Sequence, residues 1–315
     1  MKLARLADEY IRFKRSLGMR FSTEPVVLKC FCQAMGDIDV GEVSPSQMLA
    51  FLNGKGPITT FWHQKFVMLK GLYGFAVARG YATSAPLPTV LPKRPSGLVP
   101  YIYTVDELRR ILQATPSLSS RLNPLRPAIM RALLLLLYGS GLRIGEALAL
   151  TLADVDLSAG LLHIRDSKFF KSRLVPIGSR LVAELEGYAR KRRQVLPCPG
   201  GVDSAFFATR KGTAMSVRQA DVVFRRLRGW ADVHREPQAR YQPRIHDIRH
   251  TFAVHRMTSW YRQGADVQRL LPRLSTYLGH DNIVFTQRYL TMTLELLQEA
   301  NHRFERYAFP EVSHV

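Results

Sequence analysis

Residues 244–250 read RIHDIRH, with two histidines, an aspartate and two arginines inside two helical turns. Two chemistries fit that density. His246 and His250 stand four apart with an acid after the first, the layout of a helical zinc-protease site in which Asp247 takes the glutamate's place. His246 and Arg249 stand three apart on one helix face, the spacing of a grip on phosphate. A catalytic zinc needs a third protein ligand and disfavours a neighbouring guanidinium, yet Arg249 lies between the histidines and Arg244 and Arg256 flank them. The phosphate reading prevails, with no metal expected. The same shortage of acids argues against the clustered carboxylates of a two-metal nuclease.

The whole chain has the charge such a site needs. Its 315 residues carry 45 Lys and Arg against 25 Asp and Glu, a net charge of +20. Residues 1–98 account for +7 of this and the longer remainder for +13, so the excess is spread over both parts. A charge of that size opposes compaction unless a polyanion neutralises it, which points to nucleic acid. The three cysteines, Cys30, Cys32 and Cys198, lack the paired spacing of a zinc ribbon. The N-terminal stretch has acids and a helical period where a signal peptide has an apolar core. The longest apolar run, ALLLLLY at 132–138, falls far short of the roughly 20 residues that span a bilayer. A cytoplasmic protein without a membrane partner is expected.

Periodicity predicts a mainly α chain with a small β-sheet. Leu3, Leu6, Tyr10, Phe13 and Leu17 recur at helical spacing up to Gly18, and a second helix fits 22–35. Ser44, Pro45 and Gly54 mark the cap, first position and end of a third helix, and a fourth carries aromatic residues with Lys65, Lys70 and Arg79. Five prolines between 86 and 100 block helix and mark a linker between domains at 1–85 and 101–315. Thr104 and Glu107 form a capping box, and an apolar helix runs over about 124–138. Strands are predicted at 161–166 and 173–177, joined by the turn SKFFKS, and further helices at 179–193, 216–229, 246–260 and 293–306.

A metal-free site for phosphoryl transfer needs guanidinium forks on the non-bridging oxygens, a nucleophile and an acid for the departing sugar oxygen. Arg143 stands in GLRIGE, where Gly139 and Gly141 end one helix and another begins, so its head can share an anion site with free backbone N–H groups. Arg249 and His246 come from HDIRH, and His280 from YLGHDN. Tyr289 follows nine residues later in QRYL, close enough along the chain to share a pocket with His280.

GLRIGEAL, SKFFKSRLVPI, HDIRHTFA, LGH and the downstream tyrosine stand in an order that resembles the tyrosine recombinase family, the phage-integrase type of site-specific DNA recombinase. The match covers the C-terminal domain, and the helical N-terminal segment resembles the family's core-binding domain more loosely. The resemblance implies an α+β catalytic domain ending in an exchange helix at about 293–308. It implies that Tyr289 attacks the scissile phosphate to give a 3′-phosphotyrosyl intermediate, which stores the energy of the broken diester so that religation needs neither metal, ATP nor other cofactor. Arg143 and Arg249 would clamp the non-bridging oxygens and Lys168 would protonate the leaving 5′-oxygen. His246 and His280 would bind the phosphate or assist proton transfer.

Phe169 and Phe170 depart from the small residues usual in that turn, so Lys171 is an alternative to Lys168. Asp247 and Glu146 are expected to orient neighbouring basic groups, and His250 and His255 to be structural. Lys65, Lys70, Lys171, Arg173 and Arg244 are candidate DNA contacts. The implied partner is double-stranded DNA carrying recombination sites, bound by a homo-tetramer of a protein that is monomeric when free, with accessory recombinases as further partners. The stretch GADVQRLLPRLSTYLGH, 264–280, is a few residues longer than usual in its approach to LGH and resembles recombinases of mobile elements. Two other readings stay open: a type IB topoisomerase, and a basic DNA-binding protein without activity.

Overall fold

The structure is a computed structural model that describes residues 1–19, 21, 23–95, 97–121, 123–165, 172–196, 201–291, 296–299 and 301. The chain divides into two compact units, Met1–Leu98 and Val99–Val315. Among the described residues, no helix is long and apolar enough to cross a membrane.

The first unit consists of helices α1 (Leu3–Ser16), α2 (Glu24–Met35), α3 (Pro45–Asn53) and α4 (Thr60–Ala78). The cap at Ser44 forms as its residue types dictate. The Ser44 hydroxyl accepts the Gln47 N–H at 3.2 Å, the Gln47 side chain accepts the Ser44 N–H at 2.9 Å, and Gly54 leaves the helix at φ 60°. Leu6, Leu28, Phe31, Met48, Leu69 and Tyr73 meet in the core of this unit.

The second unit begins with α5 (Val105–Gln113), which is opened by the reciprocal Thr104–Glu107 bonds at 2.8 and 3.1 Å. It continues with α6 (Arg126–Ser140), α7 (Ile144–Ala149), β1 (Val155–Asp156), β2 (Leu161–Ile164), β3 (Arg173–Pro176) and α8 (Ser179–Val195). Then come α9 (Val217–Trp230), α10 (Asp247–Arg262), α11 (Val267–Leu278), α12 (Val284–Gln287) and a 3-10 turn over Arg288–Thr291. The apolar run in α6 is buried almost all round, with Leu133 and Leu136 fully enclosed, so it is the central rod on which α8 and α10 pack. Each such leucine contributes about 1.5–3 kcal/mol by leaving water.

The strands form one antiparallel sheet in the order β1-β2-β3, with Leu162 opposite Val175 and Ile164 opposite Arg173. Because side chains alternate along a strand, Arg173 shares the inward face of Val175 and Ile164.

Several predicted boundaries shift. The strands predicted at 161–166 and 173–177 end at 164 and 176, and β1 adds a third that sequence patterning did not indicate. The helix α11 was also unmarked: Pro272 lies inside it, on its exposed side, where a missing N–H and the ring are tolerated. Of the helix predicted at 293–306, residues 296–299 and 301 are helical and the rest lie outside the described residues. The same is true of the SKFFK part of the turn, and with it Lys168 and Lys171.

Candidate active site

The site starts where α6 stops. Gly141 ends that helix in the left-handed region at φ 62°, and a Cβ there would collide with Phe252, so only glycine fits both backbone and space. The chain re-extends and Arg143 becomes the N-cap of α7. Its backbone N–H donates to Glu146 Oε2 at 3.0 Å, and its Nη1 donates to Glu146 Oε1 at 2.9 Å.

Three guanidinium groups converge on the C-terminal end of α11. Arg173 donates from Nε to the carbonyl of Tyr277 at 3.1 Å, Arg249 from Nη2 to that of Leu278 at 2.9 Å, and Arg143 from Nη2 to that of Gly279 at 2.9 Å. Carbonyls in the last turn of a helix lack intrahelical partners and carry the negative end of its dipole, so cations are stabilised there. Arg249 also donates from Nη1 to the Gly141 carbonyl at 2.6 Å, tying the end of α6 to the end of α11. Glu146 is gripped from its other side by Arg173, at 3.2 Å from Nη1 and 2.8 Å from Nη2. One carboxylate therefore fixes two arginines, while the donors left over on Arg143 and Arg249 remain for an anion.

Gly279 terminates α11 at φ 69°, and a Cβ on it would stand 2.7 Å from Arg173 Nη1. The turn places His280 next. Its Nδ1 pairs with Thr286 Oγ1 at 2.7 Å, and its ring centroid is 6.1 Å from that of Tyr289. Tyr289 sits in the 3-10 turn, 2% exposed, among Phe252, Leu278 and Leu296. The Arg249 guanidinium stands near enough to the phenol to pull its pKa down against burial. His246 lies at the N-cap of α10, and its ring meets His250 edge-on at 5.2 Å, while His250 in turn lies 5.6 Å from Tyr289. Buried Asp247 accepts from the Arg244 N–H at 2.9 Å and from its Nη2 at 2.7 Å.

The electrostatics follow from one carboxylate among three arginines. Burial pushes the Glu146 carboxyl up, but the hydrogen bonds and charge of Arg173, then Arg143, outweigh it and hold it below the usual carboxylate range. Burial and then the charge of Arg143 lower Arg249 to about 10, which leaves it charged at neutral pH. Burial, then Arg249 and Arg143, push His280 down to about 4. His246 is lowered by burial and then by Arg249. Burial raises the Tyr289 phenol against the opposing pull of Arg249. Such a site holds neutral imidazoles and a protonated phenol around a cationic pocket, which suits a monoanionic phosphodiester that gains further negative charge as it is attacked.

Five of the residues singled out in the sequence, Arg143, His246, Arg249, His280 and Tyr289, thus gather in one place. Arg244 stands beside them, half-buried on Asp247. Arg173 and Lys65 differ from the expectation of DNA contacts. Arg173 faces inward with its side chain 12% exposed and is committed to Glu146 and α11. Lys65 is buried in the first unit, with Nζ donating to the Phe51 carbonyl at 2.6 Å and lying over the Phe51 ring, because its stem packs in the helical core. Lys70 is exposed. His255 pairs with the Tyr138 hydroxyl at 3.0 Å, away from the cluster. Thr286 had no signal of its own in the sequence. Among the described residues, no three His, Cys, Asp or Glu side chains cluster as metal ligands, and Asp247 is taken up by Arg244.

Comparison with known proteins identifies the family. The model of the phage integrase family matches residues 102–295. The y4rB protein of Sinorhizobium fredii, assigned to the integrases and recombinases, is 35% identical over 309 residues, covering 95% of this chain and 96% of that protein. Tyrosine recombinase XerD of Mycobacterium tuberculosis is 34% identical over 233 residues, covering 74% of this chain and 70% of its own. In fold, the chain resembles the Tn1549 transposon integrase solved with transposon right end DNA, at a TM-score of 0.71 and 18% identity over 98% of this chain and all of that one. It also resembles the lambda integrase tetramer solved on a Holliday junction, at a TM-score of 0.65 and 18% identity over 92% of this chain and 77% of that one. With a family match over most of the second unit and relatives of 34–35% identity, the chain belongs to the phage integrase family of tyrosine recombinases.

Proposed function

We propose that this enzyme is a site-specific DNA recombinase of a mobile element that cuts and rejoins strands through Tyr289, without metal or ATP. The observation that carries the reading is the meeting of the Tyr289 phenol with Arg249, in a cage that Arg143 completes on the same helix end. A scissile phosphate seated on the free donors of both arginines lies in reach of the phenol. Attack forms the Oη–P bond and releases the 5′-oxygen, which takes a proton from Lys168, or from Lys171 if that side chain reaches it. The phosphorane-like charge falls on the two guanidinium forks, with His246 and His280 as further donors. The 3′-phosphotyrosyl bond keeps the energy of the diester, so a 5′-hydroxyl from another duplex reseals it and exchanges strands.

The first unit serves as the core-binding domain and the second as the catalytic domain. Lys70 and Arg244 are contacts to the DNA backbone, which gives affinity without sequence preference. The lambda integrase tetramer on a Holliday junction and the transposon-bound integrase support a homo-tetramer acting on paired duplexes. A monomer off DNA is supported by the described tail, in which Leu296 is buried on its own domain and Glu299 accepts from Arg262 Nε at 2.8 Å.

A duplex nicked beside the cleavage point, which loses its 5′ fragment and traps the intermediate, tests this. Wild-type protein should become covalently attached to the DNA and Tyr289→Phe should not. No adduct with the wild type would favour a mere binding protein. Exchange between two labelled duplexes then separates a recombinase from a topoisomerase, which relaxes supercoils but joins no partner strand.

A further inference from the structure

The phenolic proton of Tyr289 must leave as its oxygen attacks, and the site holds few groups able to take it. Both nearby carboxylates are committed, Glu146 to Arg143 and Arg173 and Asp247 to Arg244. His280 has Nδ1 tied to Thr286, leaving its other nitrogen for the phosphate. His246 meets the edge of His250 rather than the phenol ring. His250 is different. Its ring lies against that of Tyr289, with centroids 5.6 Å apart at 60°, and its Nδ1 is shut off from water without any hydrogen-bond partner. A buried polar atom without a partner costs stability, and a group of that kind beside a nucleophile is a candidate for use in the chemistry.

We infer that His250 accepts the phenolic proton of Tyr289 during strand cleavage and returns it during religation. This rests on the reading of Tyr289 as nucleophile. In the free protein the Arg249 guanidinium stands beside the phenol, while its Nη1 and Nη2 donate to the Gly141 and Leu278 carbonyls. Once a phosphate takes up the free donors of Arg249, the phenol O–H turns towards the unpaired nitrogen of the neighbouring imidazole, whose ring centroid is 5.6 Å from its own. In cleavage the Oη–P bond forms, the P–O5′ bond breaks, the phenolic proton passes to His250 Nδ1, and the leaving oxygen takes a proton from the lysine. Religation runs the same transfers backwards. The imidazole is available as a base because burial and then His246 keep it neutral, with Asp247 opposing and Arg249 and Arg244 reinforcing.

The test uses His250→Gln and His250→Asn, which keep polarity and approximate size but accept no proton, on the nicked duplex. Both should bind DNA like the parent and form the covalent adduct about 10²–10⁴-fold more slowly, the range for loss of a general base. Replacing Tyr289 by a trifluorotyrosine, whose phenol ionises far more readily, should then recover at least about tenfold in the His250 variants while moving the parent by less than about threefold. A role in packing alone predicts no such selective recovery. Variants that cleave like the parent, or a fluorinated phenol that shifts parent and variants by the same factor, would overturn the inference. Should both variants fail to fold, nitrogen NMR of the unmodified protein decides: a bare His250 Nδ1 with the proton on Nε2 agrees, and a protonated Nδ1 in the neutral ring refutes. Failure of the Tyr289 reading is separately visible, as an adduct that survives in Tyr289→Phe.

Discussion

Replacing Glu146 by alanine removes the one carboxylate that holds two guanidinium groups. Its loss deletes four hydrogen bonds, two to Arg143 at 2.9 and 3.0 Å and two to Arg173 at 2.8 and 3.2 Å. It also leaves those cations facing each other and Arg249 in a half-closed site. Removing one member of a buried ion pair costs about 3–5 kcal/mol. The Arg173 side chain, 12% exposed, incurs most of that cost, whereas Arg143, 31% exposed, is partly rehydrated. The lower end is therefore expected, about 3 kcal/mol, which for a unit of this size lowers Tm by roughly 6–12 °C. Catalysis suffers more than stability, because a displacement of Arg143 by about 1 Å is enough to cost roughly 10²-fold in rate. Thermal melting by circular dichroism and single-turnover adduct formation on the nicked duplex read the two effects. Glu146→Gln should fall between alanine and parent, since the amide keeps an acceptor but loses the charge. A Glu146→Ala protein that melts within about 2 °C of the parent and cleaves at its rate would refute the idea that this carboxylate organises the cage.

Other outcomes follow from the same geometry. His250 and His280, both lowered to about 4 in the folded protein, take up protons in the unfolded chain first. Stability should thus decline as pH falls from about 6.5, the ordinary histidine value, towards 4 and level off below it, and denaturant melts across that window should show it. Glu146 is likewise held below its ordinary value and adds a further loss as pH falls through the carboxylate range. Gly279→Ala places a Cβ at positive φ against Arg173, and should lower stability by about 1–3 kcal/mol and slow cleavage by misplacing His280, measured by melting and by the adduct assay. Lys70→Ala should weaken DNA binding and reduce the salt slope by about 1, whereas Lys65→Ala should destabilise the first unit and leave that slope unchanged.

How far the residues disclose this site depends on what each one does. Those that face the pocket were legible because their types are dictated by phosphate chemistry and their motifs are local: GLRIGE, HDIRH, LGH and the tyrosine nine residues on. Caps were legible for a similar reason, since Ser44 and Thr104 act on backbone within three residues. Arg173 was not. Whether a strand arginine points to DNA or into the protein depends on the register that sets it opposite Ile164, and that pairing is fixed by tertiary packing. Lys65 illustrates the same limit, as a helical lysine with an apolar stem reads alike on either face. The helix α11 escaped notice because Pro272 interrupts its pattern, although Val267, Leu271, Leu274 and Leu278 keep its inner stripe. The capping of its last three carbonyls by three arginines from distant parts of the chain has no local signature at all.

The most direct test is to trap the protein on a nicked duplex, digest the adduct and sequence the DNA-linked peptide by mass spectrometry. The account predicts a single peptide containing Tyr289, joined through its phenolic oxygen to a 3′-phosphate. Linkage to any other residue, or through a 5′-phosphate, would contradict it.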